Sequence, residues 1–105
     1  MSVVHVVAVI TTKPGKRAEV LAAFNENVPN VHAEDGCIEY GPTVDTADVG
    51  PFQTQFGADT FVVIEKWESL EHLMAHAAAP HMAAYAEKVK DLLADRVIHV
   101  LSPAS

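Results

Sequence analysis

Residues 3–12, VVHVVAVITT, decide the fold. The run is almost wholly β-branched, which favours a strand, and side chains on a strand alternate between its two faces. Val3, Val7 and Val9 fall on one side, and Val4, Val6, Ala8 and Ile10 on the other. Residues 60–67, TFVVIEKW, repeat the pattern, with Phe61, Val63 and Trp67 against Val62 and Ile64. A sheet made of such strands is apolar on both faces and must be covered twice.

The segments between these strands supply one cover. Lys13-Pro14-Gly15 ends the first strand, because proline and glycine punctuate regular structure. From Lys16 onward Val20, Leu21, Phe24, Val28 and Val31 step at three and four, the spacing of an amphipathic helix. Pro29 lacks an amide donor, which predicts a kink or restart there. Glu34-Asp35-Gly36 reads as a turn and Cys37 to about Val44 as a second strand. Ser69 is a candidate N-cap for a helix burying Leu70, Leu73, Met74 and Ala77. Pro80 suits the first turn of a further helix with Met82, Tyr85, Val89, Leu92 and Leu93 as its apolar stripe. Residues 96–101, RVIHVL, are a fourth strand. The order βαββαβ predicts an α+β, ferredoxin-like single domain over residues 1–105. Its helices cover one face only. A second copy is the economical cover for the other, through an interface of about 2,000 Å² or more, as in obligate homodimers.

Composition narrows the function. Fourteen acids against seven bases give a formal charge of −7 over 105 residues, which disfavours nucleic acid and anionic membranes as partners. No apolar stretch approaches the roughly 20 residues of a membrane span, and nothing reads as a secretory signal. A cytoplasmic location is the expectation. The single cysteine, Cys37, excludes an intrachain disulfide and a thiolate-rich zinc site, and reads as structural. No G-x-S-x-G, phosphate loop or dinucleotide fingerprint is present.

The polar residues among the apolar strands hold most of the chemistry. Glu65 shares a strand face with Val63 and Trp67, where a carboxyl must be hydrogen-bonded, paired or protonated. It serves either as a pocket acid that orients a histidine or as a strand-end carboxylate in a subunit salt bridge. His5 and His99 read as satisfied core or edge histidines. His72 and His76 lie at i and i+4, which without a third convergent ligand is weak evidence for zinc. At about 100° per residue His72 falls on the water side of its helix, whereas His76 borders the buried stripe. His81 opens the last helix, where the dipole favours a neutral imidazole, a usable base near neutral pH. Residues 45–59 form a loop too long to be a mere connection, and its Phe52 and Phe56 are unusual for a solvated segment.

Three segments resemble the antibiotic biosynthesis monooxygenase superfamily. They are Val28-Pro29 with Glu34-Asp35-Gly36-Cys37, Ile64-Glu65-Lys66-Trp67-Glu68-Ser69, and Leu73-x-x-His76 followed by Pro80-His81-Met82-x-x-Tyr85. Tyr40-Gly41-Pro42, Val44-Asp45 and Phe52-Gln53 bring the likeness nearest to the bacterial quinol monooxygenases. The resemblance implies a dimeric α/β barrel, with dimers open to further assembly. It also implies oxidation of a quinol or polyphenol by O₂ without metal or organic cofactor. Trp67 and His76 carry over with most weight as catalytic residues, then Glu65, Tyr40 and His81. Tyr40, Phe52, Phe56, Met82 and Tyr85 would hold the flat ring, and Glu65 would fix the histidine tautomer. Other activities on this fold stay open. They are haem degradation, isomerisation of a small phosphorylated metabolite (poorly matched by a motif with only Lys66 as a nearby base), and non-catalytic binding of a small molecule.

Overall fold

The computed structural model describes residues 2–105. Its elements run β1 (Val4–Thr12), α1 (Arg17–His32), β2 (Cys37–Thr43), β3 (Thr60–Trp67), α2 (Leu70–Ala77), α3 (Pro80–Val89) and β4 (Leu93–Leu101), with a 3₁₀ turn at Lys90–Leu92. The four strands form one sheet in the order β2-β3-β1-β4, every pairing antiparallel. This is the ferredoxin-like α+β fold that the element order predicts.

The register assigns the two faces of the sheet. Val6 pairs with Glu65 and Val100, and Glu65 with Tyr40, so these four side chains form one row beneath the helices. Val4, Val6, Ala8 and Ile10 are buried on that face with Phe61, Val63 and Trp67. The helices add Val20, Ala23, Phe24, Val31 and Val89. Phe24 is the centre of this layer. Its ring stacks on Tyr40 at 5.3 Å and meets Phe61 and Tyr85 edge-on at 5.7 Å each, arrangements that add to plain area burial. On the other face Val7 pairs with Ile64 and Val9 with Val62 and Val97. Among the described residues no helix covers that side.

Three expectations need correction. Pro29 does not break α1, which runs through it to His32. Strand β4 begins at Leu93 rather than at residue 96, because the apolar stripe leaves α3 through the 3₁₀ turn and continues into the sheet. In α2, Leu70 and Met74 are more than half exposed, and His76 is the residue it buries. The helical wheel gives the reason: at about 100° per residue, Leu70 and Met74 lie about 120° and 160° from the inward-facing His76. The helix starts are as read, with Ser69 Oγ accepting from the His72 amide at 3.2 Å and Pro80 in the first turn of α3. No helix among the described residues is long and apolar enough to cross a membrane.

Candidate active site

A cleft of about 610 Å³ opens between the covered face of the sheet and helices α2 and α3. Its floor is apolar: Val6, Ala8, Ile10, Val63 and Ile98 from the strands. Leu73, Met82, Ala83, Ala86 and Val89 form the helical wall. The polar groups gather at one end, where Tyr40, Glu65 and His76 meet, with Tyr85 alongside. Lys90 and Arg96 stand at the far rim, cations that the sequence alone did not bring near the site. Lys90 is already paired with Glu87 at 2.8 Å.

His76 is held from both sides. Its Nδ1 lies 2.8 Å from Glu34 Oε2. Its ring is flanked by Trp67 at 4.7 Å and Tyr40 at 5.3 Å between centroids. Nε2 makes no hydrogen bond within the described residues and is not sealed from solvent. It therefore reaches the cleft. Glu65 accepts the indole N–H of Trp67 on Oε1 at 2.9 Å. Burial pushes its carboxyl up from the ordinary value, and Glu34 adds to that, while the Trp67 bond and His76 oppose it. Burial also raises both phenols, Tyr40 chiefly by desolvation and then by the Glu65 charge, and Tyr85 to about 12. These are neutral hydroxyl donors at physiological pH, beside one imidazole nitrogen able to accept.

Placement of the other candidates differs from the sequence reading. Trp67 is fully buried and does not line the cleft; it lies behind Glu65 and braces it. Met82 and Tyr85 do line it, whereas His81 does not. His81 Nε2 comes within 3.1 Å of Glu34 Oε2 without hydrogen-bond alignment, and both its ring nitrogens are shut off from solvent. Phe52 and Phe56 are not brought to the cleft. They lie on the surface of the 44–59 loop, 84% and 55% exposed. Asp45 closes that loop by accepting from the Phe56 and Gly57 amides at 3.0 and 2.9 Å, and these bonds hold its carboxyl below the usual range. His72 is not simply solvated. Its Nδ1 sits 2.6 Å from Ser69 Oγ, and its ring covers Gly36, where an added Cβ would clash with His72 Cγ. Gly36 also has φ +82°, so glycine is required there twice over.

Glu34 is the residue that sequence reasoning missed as a site group. The sequence marks it as a turn residue and as part of a family-like segment without giving it a role, and its partners His76 and His81 follow 42 and 47 positions later. The bond to the histidine expected of Glu65 is made by Glu34, while Glu65 bonds Trp67. Among the described residues no group of three or more His, Cys, Asp or Glu side chains is arranged to hold a metal ion.

The fold and cleft define a ferredoxin-like domain with an aromatic-lined pocket of small-molecule size, polar at one end and charged at its far rim. Residues 3–88 match the antibiotic biosynthesis monooxygenase family, and the chain belongs to it. It is 45% identical over 100 residues to the Escherichia coli K12 protein named "Probable quinol monooxygenase YgiN", covering 93% of this chain and 95% of the relative. The solved structure of Rv0793 from Mycobacterium tuberculosis superposes with a TM-score of 0.80 at 28% identity, covering 99% of this chain and 97% of that one. PA3566 from Pseudomonas aeruginosa superposes at 0.82 with 23% identity over 100% and 97%, a likeness of fold.

Proposed function

We propose that the chain is a quinol monooxygenase acting on a quinol or related polyphenolic aromatic with O₂. The observation that carries the reading is the free Nε2 of His76 at the polar end of the cleft, with Nδ1 already engaged. A neutral imidazole so placed takes a phenolic proton as general base. The phenolate is electron-rich enough to reduce O₂ directly, so the reaction as written needs no metal or organic cofactor. A quinol and O₂ give a hydroxyquinone and water; the substrate supplies all four electrons, one oxygen atom enters the ring, and the other leaves as water. The proton held by His76 returns to the departing oxygen. Glu65, whose carboxyl burial favours protonating, and the Tyr40 hydroxyl are donors to the substrate's second oxygen. Phe24, Met82 and Tyr85 hold the flat ring, and the apolar walls keep water from the anion.

The working unit in this reading is a homodimer. Support comes from the uncovered face of the sheet, where Val7, Val9, Ile64, Val97 and Leu101 lie together in register. A cytoplasmic site of action fits the same chemistry, and no nucleic acid takes part. The deciding experiment is protein-dependent O₂ uptake on a panel of naphthoquinols, anthrones and catechols, after exhaustive chelation. Saturable uptake that His76→Ala abolishes supports the reading. Equal uptake with and without protein on every substrate overturns it.

A further inference from the structure

We infer that Glu34 is a positioning residue of this site, holding His76 in the one tautomer that leaves Nε2 free to act as a base; the inference rests on the reading of His76 as base. The geometry begins with the backbone. Helix α1 ends at His32, and the Glu34 amide donates to the Val31 carbonyl at 2.9 Å. Two residues later Gly36 turns with positive φ beneath the His72 ring, close enough that no side chain fits between them. This turn is thus pressed against α2, and it sends the Glu34 side chain to His76, one helical turn beyond His72.

Two imidazoles approach one oxygen, Oε2: His76 Nδ1 from α2, hydrogen-bonded at 2.8 Å, and His81 Nε2 from α3, at 3.1 Å without hydrogen-bond alignment. The Glu34 side chain is only 16% exposed, and that of His76 only 6%. A carboxylate so buried must be partnered. A carboxylate can only accept, so the hydrogen between it and His76 belongs to Nδ1. The neutral ring is thereby fixed as Nδ1–H with the lone pair on Nε2, aimed at the cleft. When His76 takes the substrate's proton, the imidazolium that forms lies 2.8 Å from the Glu34 carboxylate, which balances its charge. His81, at the start of α3, packs against the same carboxylate oxygen. Glu34 touches neither cleft nor substrate and acts only through His76.

The test reads the tautomer directly. In ¹⁵N-histidine NMR of the wild-type protein without substrate, at a pH where the ring is neutral, His76 is expected to show a protonated Nδ1 and an unprotonated Nε2. Glu34→Ala removes the acceptor and should move the ring toward Nε2–H. In turnover it should lower kcat at least about tenfold with KM within about twofold, the split of a group that acts on the base and not on binding. Glu34→Gln keeps an acceptor oxygen and should preserve the Nδ1–H tautomer and restore part of kcat. An Nε2–H ring in the wild type overturns the inference even if Glu34→Ala fails to fold. So does an unchanged tautomer in a folded Glu34→Ala. Because the tautomer is read without substrate, an Nδ1–H ring in a protein that turns over no quinol overturns the activity, not the geometry.

Discussion

The Trp67 indole donates to Glu65 Oε1 at 2.9 Å, across two residues of one strand face. The chain's single tryptophan is therefore a brace. Two positions apart on β3 their side chains share a face. The indole satisfies one oxygen of a carboxyl that would otherwise sit unpaired among Val63, Val6 and Tyr40. The second oxygen remains for the cleft. Sequence and packing meet in this pair, because the same burial that requires the brace also pushes the carboxyl toward its protonated, donating form.

Trp67→Phe keeps an aromatic ring in a fully buried position but removes the donor. A buried acceptor left unpaired costs about 1–3 kcal/mol. For a domain of this size that corresponds to roughly 4–8 °C of melting temperature per kcal/mol. Thermal unfolding of the variant should show such a loss, with the rate affected only through Glu65. An unchanged melting temperature would mean that the indole bond contributes nothing.

Glu65→Gln tests the raised carboxyl by pH. The folded-state pKa is raised from the ordinary 4.5, so the contribution of this group is fully present below 4.5 and is lost as pH rises through the folded value. Glutamine does not ionise. Denaturant unfolding of both proteins should therefore show the variant gaining on wild type as pH rises from below 4.5 toward neutrality. A difference that stays flat across that interval, or runs the other way, rules out the raised carboxyl.

His76→Ala and His72→Ala should separate chemistry from packing. Loss of a general base typically costs about 10²–10⁴-fold in rate, and that loss is expected of His76→Ala in quinol-dependent O₂ uptake. His72 faces Ser69 and Gly36 instead of the cleft, so its removal should lower stability and leave kcat near wild type. It should also relieve Gly36→Ala, whose added Cβ otherwise meets the imidazole. The double variant should then be more stable than the sum of the two single changes implies. A crippled His72→Ala enzyme with native stability would reverse these roles.

The strands were legible because β-branched runs constrain the backbone within a few residues, as at Val3–Ile10 and Phe61–Ile64. The helix starts were legible at Ser69 and Pro80 for the same local reason. What could not be read were partners far along the chain. Glu34 has no local feature that separates it from any turn acid; only the packing of α1's end against α2 brings it to His76. The wheel placed His72 in water because a wheel knows its own helix and not the Glu34–Gly36 turn laid over it. Phe52 and Phe56 stay on the surface, since aromatic composition says nothing of where a loop points. Met82, Tyr85, Tyr40 and Glu65 came together at the cleft as helical and strand periodicity require.

The uncovered face of the sheet leads to the last prediction. Val9 stands at its middle, paired with Val62 on one side and Val97 on the other. Val97 and Leu101 are 42% and 49% exposed in the single chain, and Val7 and Ile64 continue the apolar surface. Monomers rarely expose an apolar sheet face of this extent, so a second copy is expected to cover it. Light scattering across a size-exclusion peak should give about twice the 11.3 kDa chain mass at micromolar concentration. Val9→Asp would place a charge between Val62 and Val97 in a desolvated contact, with the Lys66 of this face paired in register with His5, four residues away along β1. That variant should elute as a monomer or aggregate, with the helix-covered core untouched. A monomeric wild type would remove the basis for a second copy, and a Val9→Asp protein still dimeric at the same concentration would place the interface elsewhere.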